Sequence, residues 1–542
     1  MRLTITGANC RFARAVIDAL SGEHTIRAVD TRFDSGLPAS VETAVGDLRD
    51  RDFAGQVSEG ADAVLHLAPL SIDGLDDSAV IDTFSRGAYN LVDMAIEQGV
   101  SRFLLASTLG MFDRLPAEWR IDESWRPRPE PIPEHLACWL SELSLRESCH
   151  TAPIHSLCLR FGQIVDDAEI AGRAFDPRWL HIEDAVESVR CALRILEEKP
   201  TLGEWQIYHI SSGDRARIRP GRARGDRFGY QPRHTFADIA AHRDELPPTR
   251  TGANWRKALQ PQIASPSASS TPRPSGMNAP TRPRNIVIFG SGGPVAASLA
   301  AELKDHYVLR QTDFRPLSEI RGENHPQSEG APLPTILGAP HEERTVDIRD
   351  YEQVLAACEG MDAAVNCTVM RPDAVEAFRV NTLGAYNLMR GAVQCGIKRV
   401  VQTGPQQMMM DGRSGYWWDY DVPGNAPARP GRNLYAHSKF LGQEICRVFA
   451  EYYGLEVPVL VYAQFLNPRV AKSVWTMAVS WEDSARALRR AIEVDPLPSP
   501  YEEMAITNDL PHGKYSASRA KEILGWEAQD DLSPLWTRRT EG

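Results

Sequence analysis

The chain repeats itself once, and the length of that repeat limits what it can fold into. "GADAVLHLAPL" at 60–70 is matched by "GMDAAVNCTVM" at 360–370, and "GDLRD" at 46–50 by "VDIRD" at 346–350. "SRGAYNLVDMAIEQGVSRFLLAS" at 85–107 is matched by "NTLGAYNLMRGAVQCGIKRVVQTG" at 381–404, and "FGYQP" at 228–232 by "LGWEA" at 524–528. The offset stays near 300 residues. Such a period is a whole domain, well beyond the roughly 20–50 residues of a solenoid unit. Two domains of one kind are therefore expected, 1–262 and 285–542, joined by 263–284. The stretch "SPSASSTPRPSGMNAPTRPR" at 265–284 is rich in Pro, Ser and Arg and lacks apolar periodicity. It cannot bury a core and reads as a flexible, partly extended linker. Met277 lies inside it, just ahead of the second copy, as a start codon retained in a gene fusion would.

Each copy alternates short apolar runs with helical patterns. "LTIT", "TIRAVD", "AVLHLA" and "RFLLAS" read as strands of the first copy, and "NIVIFG", "YVLRQTD", "AAVNCT" and "RVVQTG" as strands of the second. Strands separated by helices predict parallel sheets covered on both faces. The fold class expected is α/β: two tandem Rossmann-type, doubly wound parallel-sheet domains.

Composition excludes several alternatives. The net charge of -12 disfavours a nucleic-acid partner. No apolar run approaches the ~18 residues of a membrane span. The nine cysteines include no CxxC and no His–Cys cluster, so reduced thiols, a cytoplasmic location and no metal site are expected. "MRLTITGA" enters a strand directly, without the charged leader and apolar core of an export signal.

The first strand of each copy runs into a turn and then a helix. In "GSGGPVA", Gly290 permits a tight turn, Gly293 lets a helix N-terminus approach a pyrophosphate, and Ala296 is a tolerated third small residue. In "GANCRFA", Gly7 keeps its place, but Cys10 replaces the middle glycine and puts a side chain where phosphate would approach. An Asp ends each second strand, Asp30 and Asp313. Such a carboxylate accepts from adenosine ribose hydroxyls and repels a 2′-phosphate, which favours NAD over NADP, although Arg32 and Arg315 stand nearby. The competing reading is a Rossmann layer kept for packing after loss of its cofactor.

With these turns, the segments "GDLRD" and "GAYNL", the run "YAHSK", and "HIEDAVES" at 181–188 beside "SWEDSARA" at 480–487, both halves resemble the extended short-chain dehydrogenase/reductases of the NAD-dependent epimerase/dehydratase type. The resemblance implies that Asp47, Asp347, Asn366 and Asn381 also border the cofactor. It implies a catalytic Tyr and Lys in YxxxK plus a Ser or Thr at the end of the fifth strand. Tyr is the proton donor or acceptor, with an unperturbed pKa near ~10 that is too high for efficient base catalysis at neutral pH. The Lys charge favours the phenolate, and the hydroxyl positions the reacting carbonyl or alcohol.

The second copy holds Tyr435 and Lys439, one helical turn apart, but has Pro405 at the Ser/Thr position. Thr403, two residues earlier on the same strand face, is the candidate replacement, with Gln406 and Gln407 as alternatives. The first copy has Ser107 and Thr108, but His135 and Trp139 replace Tyr and Lys, and Phe84 replaces Asn381. His135 reads as a packing or helix-surface residue rather than a base. The first half is therefore expected to buttress a more competent second half as an intrachain pseudo-dimer, with Trp139 and Leu143 in a buried seam. Further homo-oligomerisation stays open.

Two other segments carry chemistry. The aromatic, acidic stretch 408–433 contains Trp417, Trp418, Tyr420, Asp419 and Asp421, suited to stacking on a sugar or to covering the core. "DRARIRPGRARGDR" at 214–227 carries six Arg, read as a solvated segment ahead of a phosphate clamp. The leading expectation is an NAD-dependent oxidoreductase, epimerase or dehydratase acting on a sugar, sugar acid or nucleotide sugar. The alternatives are a non-catalytic dinucleotide- or metabolite-binding regulator, and a non-redox lyase or isomerase using Tyr435.

Overall fold

The computed structural model describes residues 1–236 except 35, 73, 199–203, 214–215 and 226, then 284–320, 330–406 and 428–536 except 512. Residues 263–283 of the expected linker, Gln407 and the aromatic and acidic residues 417–421 lie outside the described residues. The chain divides into two compact units, Met1–Gln260 and Pro261–Gly542.

The first unit holds strands β1 (Arg2–Thr6), β2 (Thr25–Asp30), β3 (Glu42–Val45), β4 (Ala63–His66), β5 (Arg102–Thr108), β6 (His155–Phe161), β7 (Gln163–Val165), β8 (Trp179–His181) and β9 (Glu204–Ile210). Its main sheet is parallel, in the order β3-β2-β1-β4-β5-β6-β9. The second unit holds β10 (Asn285–Phe289), β11 (Val308–Asp313), β12 (Glu342–Thr345), β13 (Ala363–Asn366), β14 (Arg399–Pro405), β15 (Val457–Tyr462), β16 (Gln464–Leu466), β17 (Ala478–Ser480) and β18 (Tyr501–Ala505). Its main sheet is also parallel, in the corresponding order β12-β11-β10-β13-β14-β15-β18. The fold class read from the repeat is thereby observed twice.

Coverage on both faces explains the apolar runs. Leu104, Ala106, Leu157 and Leu159 enter one core of the first unit, while the intervening Phe103, Leu105 and Cys158 enter another. A strand buried on both sides cannot alternate apolar and polar residues, so the runs are continuous. Strand order reverses between β1 and β4, and between β10 and β13. The crevice beyond the carboxyl ends at such a switch point is where this class of sheet takes ligands.

Candidate functional site

In the second unit, β10 ends in a turn that requires a glycine. Gly290 has φ +81°, and a Cβ there would stand 2.8 Å from the Thr368 nitrogen. Gly293 differs. Its φ is -78°, and a Cβ there would meet only the Gly290 oxygen, at 3.5 Å. The protein itself places no demand for glycine at 293, so the space suits an incoming group. Gly293 is the N-cap of the helix Pro294–Leu303 and offers no side chain to its N–H groups. Pro294 at the first position pre-sets the helix. N–H groups without a side-chain cap, with the helix dipole behind them, make an anion cradle, and this cradle fits a dinucleotide's phosphates. Ala296 is fully buried behind it.

The same turn is held by the strand-end carboxylate. Asp313 accepts from the Gly292 N–H through Oδ2 and from the Phe314 N–H through Oδ1, both at 2.8 Å. Burial pushes its carboxyl up, against those bonds and the Arg315 charge. The first unit repeats the device. Asp30 accepts from the Asn9 N–H at 2.9 Å and the Thr31 N–H at 2.7 Å.

Cys10 supplies the contrast. Its backbone, φ -73° and ψ 151°, superposes in type on that of Gly293. Its side chain folds back so that Sγ accepts from the Ala13 N–H at 3.4 Å. One donor that a phosphate would use is thus already occupied. The cleft itself persists: Gly7, Cys10, Asp30, Asp47, Phe84 and Thr108 are among the residues lining a cavity of about 600 Å³.

The helix Leu434–Tyr453 carries the YxxxK pair. It starts at Asn433, whose side chain accepts from the Ala436 N–H at 3.0 Å, and stops at Gly454 in the left-handed region. Lys439 is 5% exposed, and its Nζ donates to the Thr368 carbonyl oxygen at 2.6 Å. Thr368 is also the residue against which Gly290 packs, so the phosphate turn and the lysine meet on one peptide segment. Burial pushes the Lys439 ammonium down to about 8. Tyr435 is pushed up by burial, opposed by the charge and hydrogen bonding of Arg371, whose guanidinium lies 5.1 Å from the ring centroid. Arg371 carries no motif and was not singled out in the sequence; folding of the segment after β13 brings it to the tyrosine.

The other predicted residues take up scaffold positions around this pair. Thr403 Oγ1 donates to the Asn366 carbonyl oxygen at 3.0 Å, and the Thr403 carbonyl faces Lys439 Nζ at 3.5 Å. Gln406 donates to the Tyr515 hydroxyl. Asn366 bonds Gln402 at 3.0 Å and accepts from the Thr368 hydroxyl at 2.7 Å. Asn381 lies in a π-helical turn, Arg379–Leu383, and donates to the Met370 carbonyl at 2.8 Å and Ser438 Oγ at 2.9 Å. It ties the turn to the YxxxK helix. Asp347 is clamped by Arg349, with the shortest bond 2.7 Å; burial alone would raise its carboxyl, but those bonds outweigh it and hold it low.

In the first unit the same positions are filled for packing. Phe84 sits in the equivalent π-turn, Thr83–Gly87, and packs with Val80 and Ala137. Trp139 and Leu143 are buried. Ser107 donates to Glu142 at 2.5 Å, and Glu142 forms a bidentate pair with Arg160 at 2.9 and 2.7 Å. His135 is half-buried; its Nδ1 accepts from the Glu130 N–H at 3.1 Å, and burial lowers its pKa. In the arginine-rich segment, two arginines among the described residues have internal partners. Arg217 donates to the carbonyls of Phe112, Asp113 and Leu115, and Arg227 pairs with Glu198.

A glycine turn, a strand-end carboxylate and a buried YxxxK helix on a doubly wound sheet are the features of a dinucleotide-binding Rossmann protein of the short-chain dehydrogenase/reductase class. Residues 7–131 match the NAD(P)H-binding family, and residues 286–481 match the NAD dependent epimerase/dehydratase family. The chain is a tandem of two such units, and its second unit belongs to the epimerase/dehydratase family. It is 27% identical over 189 residues to a uronate dehydrogenase of Pseudomonas syringae pv. tomato, covering 34% of this chain and 64% of that one. It is 24% identical over 260 residues to an NAD-dependent glucose-6-phosphate dehydrogenase of Haloferax volcanii, covering 45% of this chain and 93% of that one. An L-arabinose 1-dehydrogenase of the same organism is 29% identical over 107 residues, 20% of this chain and 41% of that one. The chain thus spans 64% and 41% of the lengths of the uronate and arabinose dehydrogenases. Among solved structures, uronate dehydrogenase from Agrobacterium tumefaciens aligns at a TM-score of 0.38 and 20% identity, covering 46% of this chain and 86% of that one.

Proposed function

We propose that the second unit is an NAD-dependent oxidoreductase or epimerase for a sugar or sugar acid, and that the first unit is a degenerate support. One observation carries this reading: Lys439 Nζ and the Gly290 turn converge on the Cys367–Thr368 segment, with Tyr435 one helical turn away. The dehydrogenases that the chain resembles point to a carbohydrate-like substrate. Asp313 at the ribose position supports NAD over NADP.

Tyr435 holds or takes the proton of the substrate hydroxyl. Burial pushes its phenol up and keeps it neutral, and Arg371 beside it works in the other direction, toward the phenolate. Lys439 is held by the Thr368 carbonyl, which fixes its charge relative to the helix. Thr403 Oγ1 is spent as a donor on Asn366 and retains only acceptor capacity toward a substrate. A bound nicotinamide supplies the hydride acceptor.

Tyr435→Phe is expected to retain dinucleotide binding and to lose turnover by more than about 100-fold, read on a panel of aldoses and hexuronates. Undiminished turnover would refute the mechanism. Pro405 at the hydroxyl position favours a second reading, a non-catalytic dinucleotide-binding regulator. Dinucleotide binding without turnover on any sugar of the panel would select it.

A further inference from the structure

Strand β8 ends at His181, which caps the helix Ile182–Leu196. In the first turn of that helix, Asp184 is 1% exposed and both its oxygens are engaged: the Arg233 and His234 N–H groups donate to them at 2.9 Å. Those bonds lay the His234 imidazole against that of His181, with centroids 3.8 Å apart and planes 22° apart. The second unit uses the same frame. There Asp483 accepts from the Gln529 and Asp530 N–H groups at 2.8 and 3.0 Å. Ser480 and Asp530 stand where the two histidines stand, and they bond to each other at 2.5 Å. The frame closes on itself in the second unit. In the first it leaves two imidazoles among carboxylates.

His181 is 4% exposed, and neither its Nε2 nor His234 Nδ1 has a hydrogen-bond partner among the described residues. Asp167 Oδ1 stands 3.5 Å from His181 Nε2, Glu183 Oε2 3.5 Å from His234 Nε2, and Asp184 Oδ1 3.4 Å from His234 Nδ1. One donor atom from each of His181, Glu183 and His234 lies within 4.8 Å of the other two.

We propose that His181, Glu183 and His234 bind one transition-metal dication of zinc's class in the first unit. Two imidazoles and a carboxylate form the borderline nitrogen–oxygen set that zinc and its neighbours take; magnesium and calcium ask for oxygen alone. Donors about 2 Å from a tetrahedral zinc stand about 3.3 Å apart, and the His234–Glu183 pair already stands at 3.5 Å. The Glu183 side chain is 71% exposed and free to swing, so it can close the remaining spread. Asp184 Oδ1 stands 3.4 Å behind His234 Nδ1, where on metal binding it would accept from an Nδ1–H and leave Nε2 for the ion. An apolar cluster of Val165, Ile170, Trp179 and Phe236 steadies the backbone beside both histidines. When His181 ligates through Nε2, its proton moves to Nδ1, and the long 3.3 Å cap bond from the Glu183 N–H is released.

The test uses the full-length chain without a histidine tag, stripped with a chelator and titrated with Co²⁺ by visible absorption and with Zn²⁺ by calorimetry. One equivalent is expected, with a d–d band typical of low coordination number. His234→Gln should remove the site, and Zn²⁺ should raise the thermal midpoint of the wild type but not of this variant. If His234→Gln is misfolded by circular dichroism, Glu183→Gln decides instead, since that side chain is exposed; a loss of at least about tenfold in affinity is expected. His306→Gln, on an exposed residue of the second unit, should change nothing. Absence of binding by the wild type would overturn the proposal, as would unchanged stoichiometry and affinity in a folded His234→Gln or Glu183→Gln.

Discussion

Replacing Lys439 with Met should stabilise the second unit at neutral pH. Lys439 is 5% exposed, and burial brings its ammonium down to about 8 from an ordinary 10.5. The unfolded chain therefore binds this proton more tightly than the folded one. Below about pH 8 the group is charged in both states, and the folded state bears the whole cost, about 3 kcal/mol at roughly 1.4 kcal/mol per tenfold. Between about pH 8 and 10.5 the folded state sheds the proton first, and the cost fades; above 10.5 it is gone. Met has a similar length and no charge. It also abandons the Thr368 carbonyl, bonded at 2.6 Å, which offsets about 1–2 kcal/mol. The net expectation is a gain of about 1–2 kcal/mol near pH 7, turning into a loss near pH 10 as the charge cost disappears while the lost bond remains. Denaturant melts of wild type and Lys439→Met at about pH 7 and about pH 10 measure both values. A variant less stable than wild type at pH 7, or a difference independent of pH, would refute the reasoning. Turnover should fall in the same variant, so the lysine would be shown to cost stability for function.

Two further outcomes follow from the first unit. Cys10→Gly frees the Ala13 N–H that Sγ now occupies and clears the turn, so dinucleotide affinity of that unit should rise about tenfold. Calorimetric stoichiometry moving toward two sites per chain would show it, and an unchanged titration would argue against the capping account. Glu142→Leu strands the Arg160 guanidinium, whose side chain is 3% exposed, and should destabilise the first unit by about 3–5 kcal/mol. Adding Arg160→Met should recover most of that loss, which thermal or urea melts of both variants would reveal.

The placement of the second-unit pair was readable because it is local. Tyr435 and Lys439 are four residues apart, Gly290 and Gly293 three, and helix and turn geometry convert those spacings into shared faces. The strand runs were readable because a sheet covered on both sides needs continuous apolar sequence. Reading became harder where side chains settle accounts with distant partners. Thr403 looked like a free hydroxyl, yet its donor goes to the Asn366 carbonyl of the neighbouring strand. The six arginines of 214–227 looked solvated, yet Arg217 is spent on carbonyls about a hundred residues upstream. Cys10 was expected to obstruct by bulk, whereas it competes by taking an N–H at the helix start.

The sequence by itself determined the duplication, the two parallel sheets, the glycine turns after their first strands and the half that keeps YxxxK, since each rests on a period or a spacing along the chain. Only the tertiary structure decided which groups meet across it. Arg371 lies 64 positions before Tyr435, and His234 lies 53 after His181, yet they meet because strand order in a doubly wound sheet, not distance along the chain, sets who is neighbour to whom.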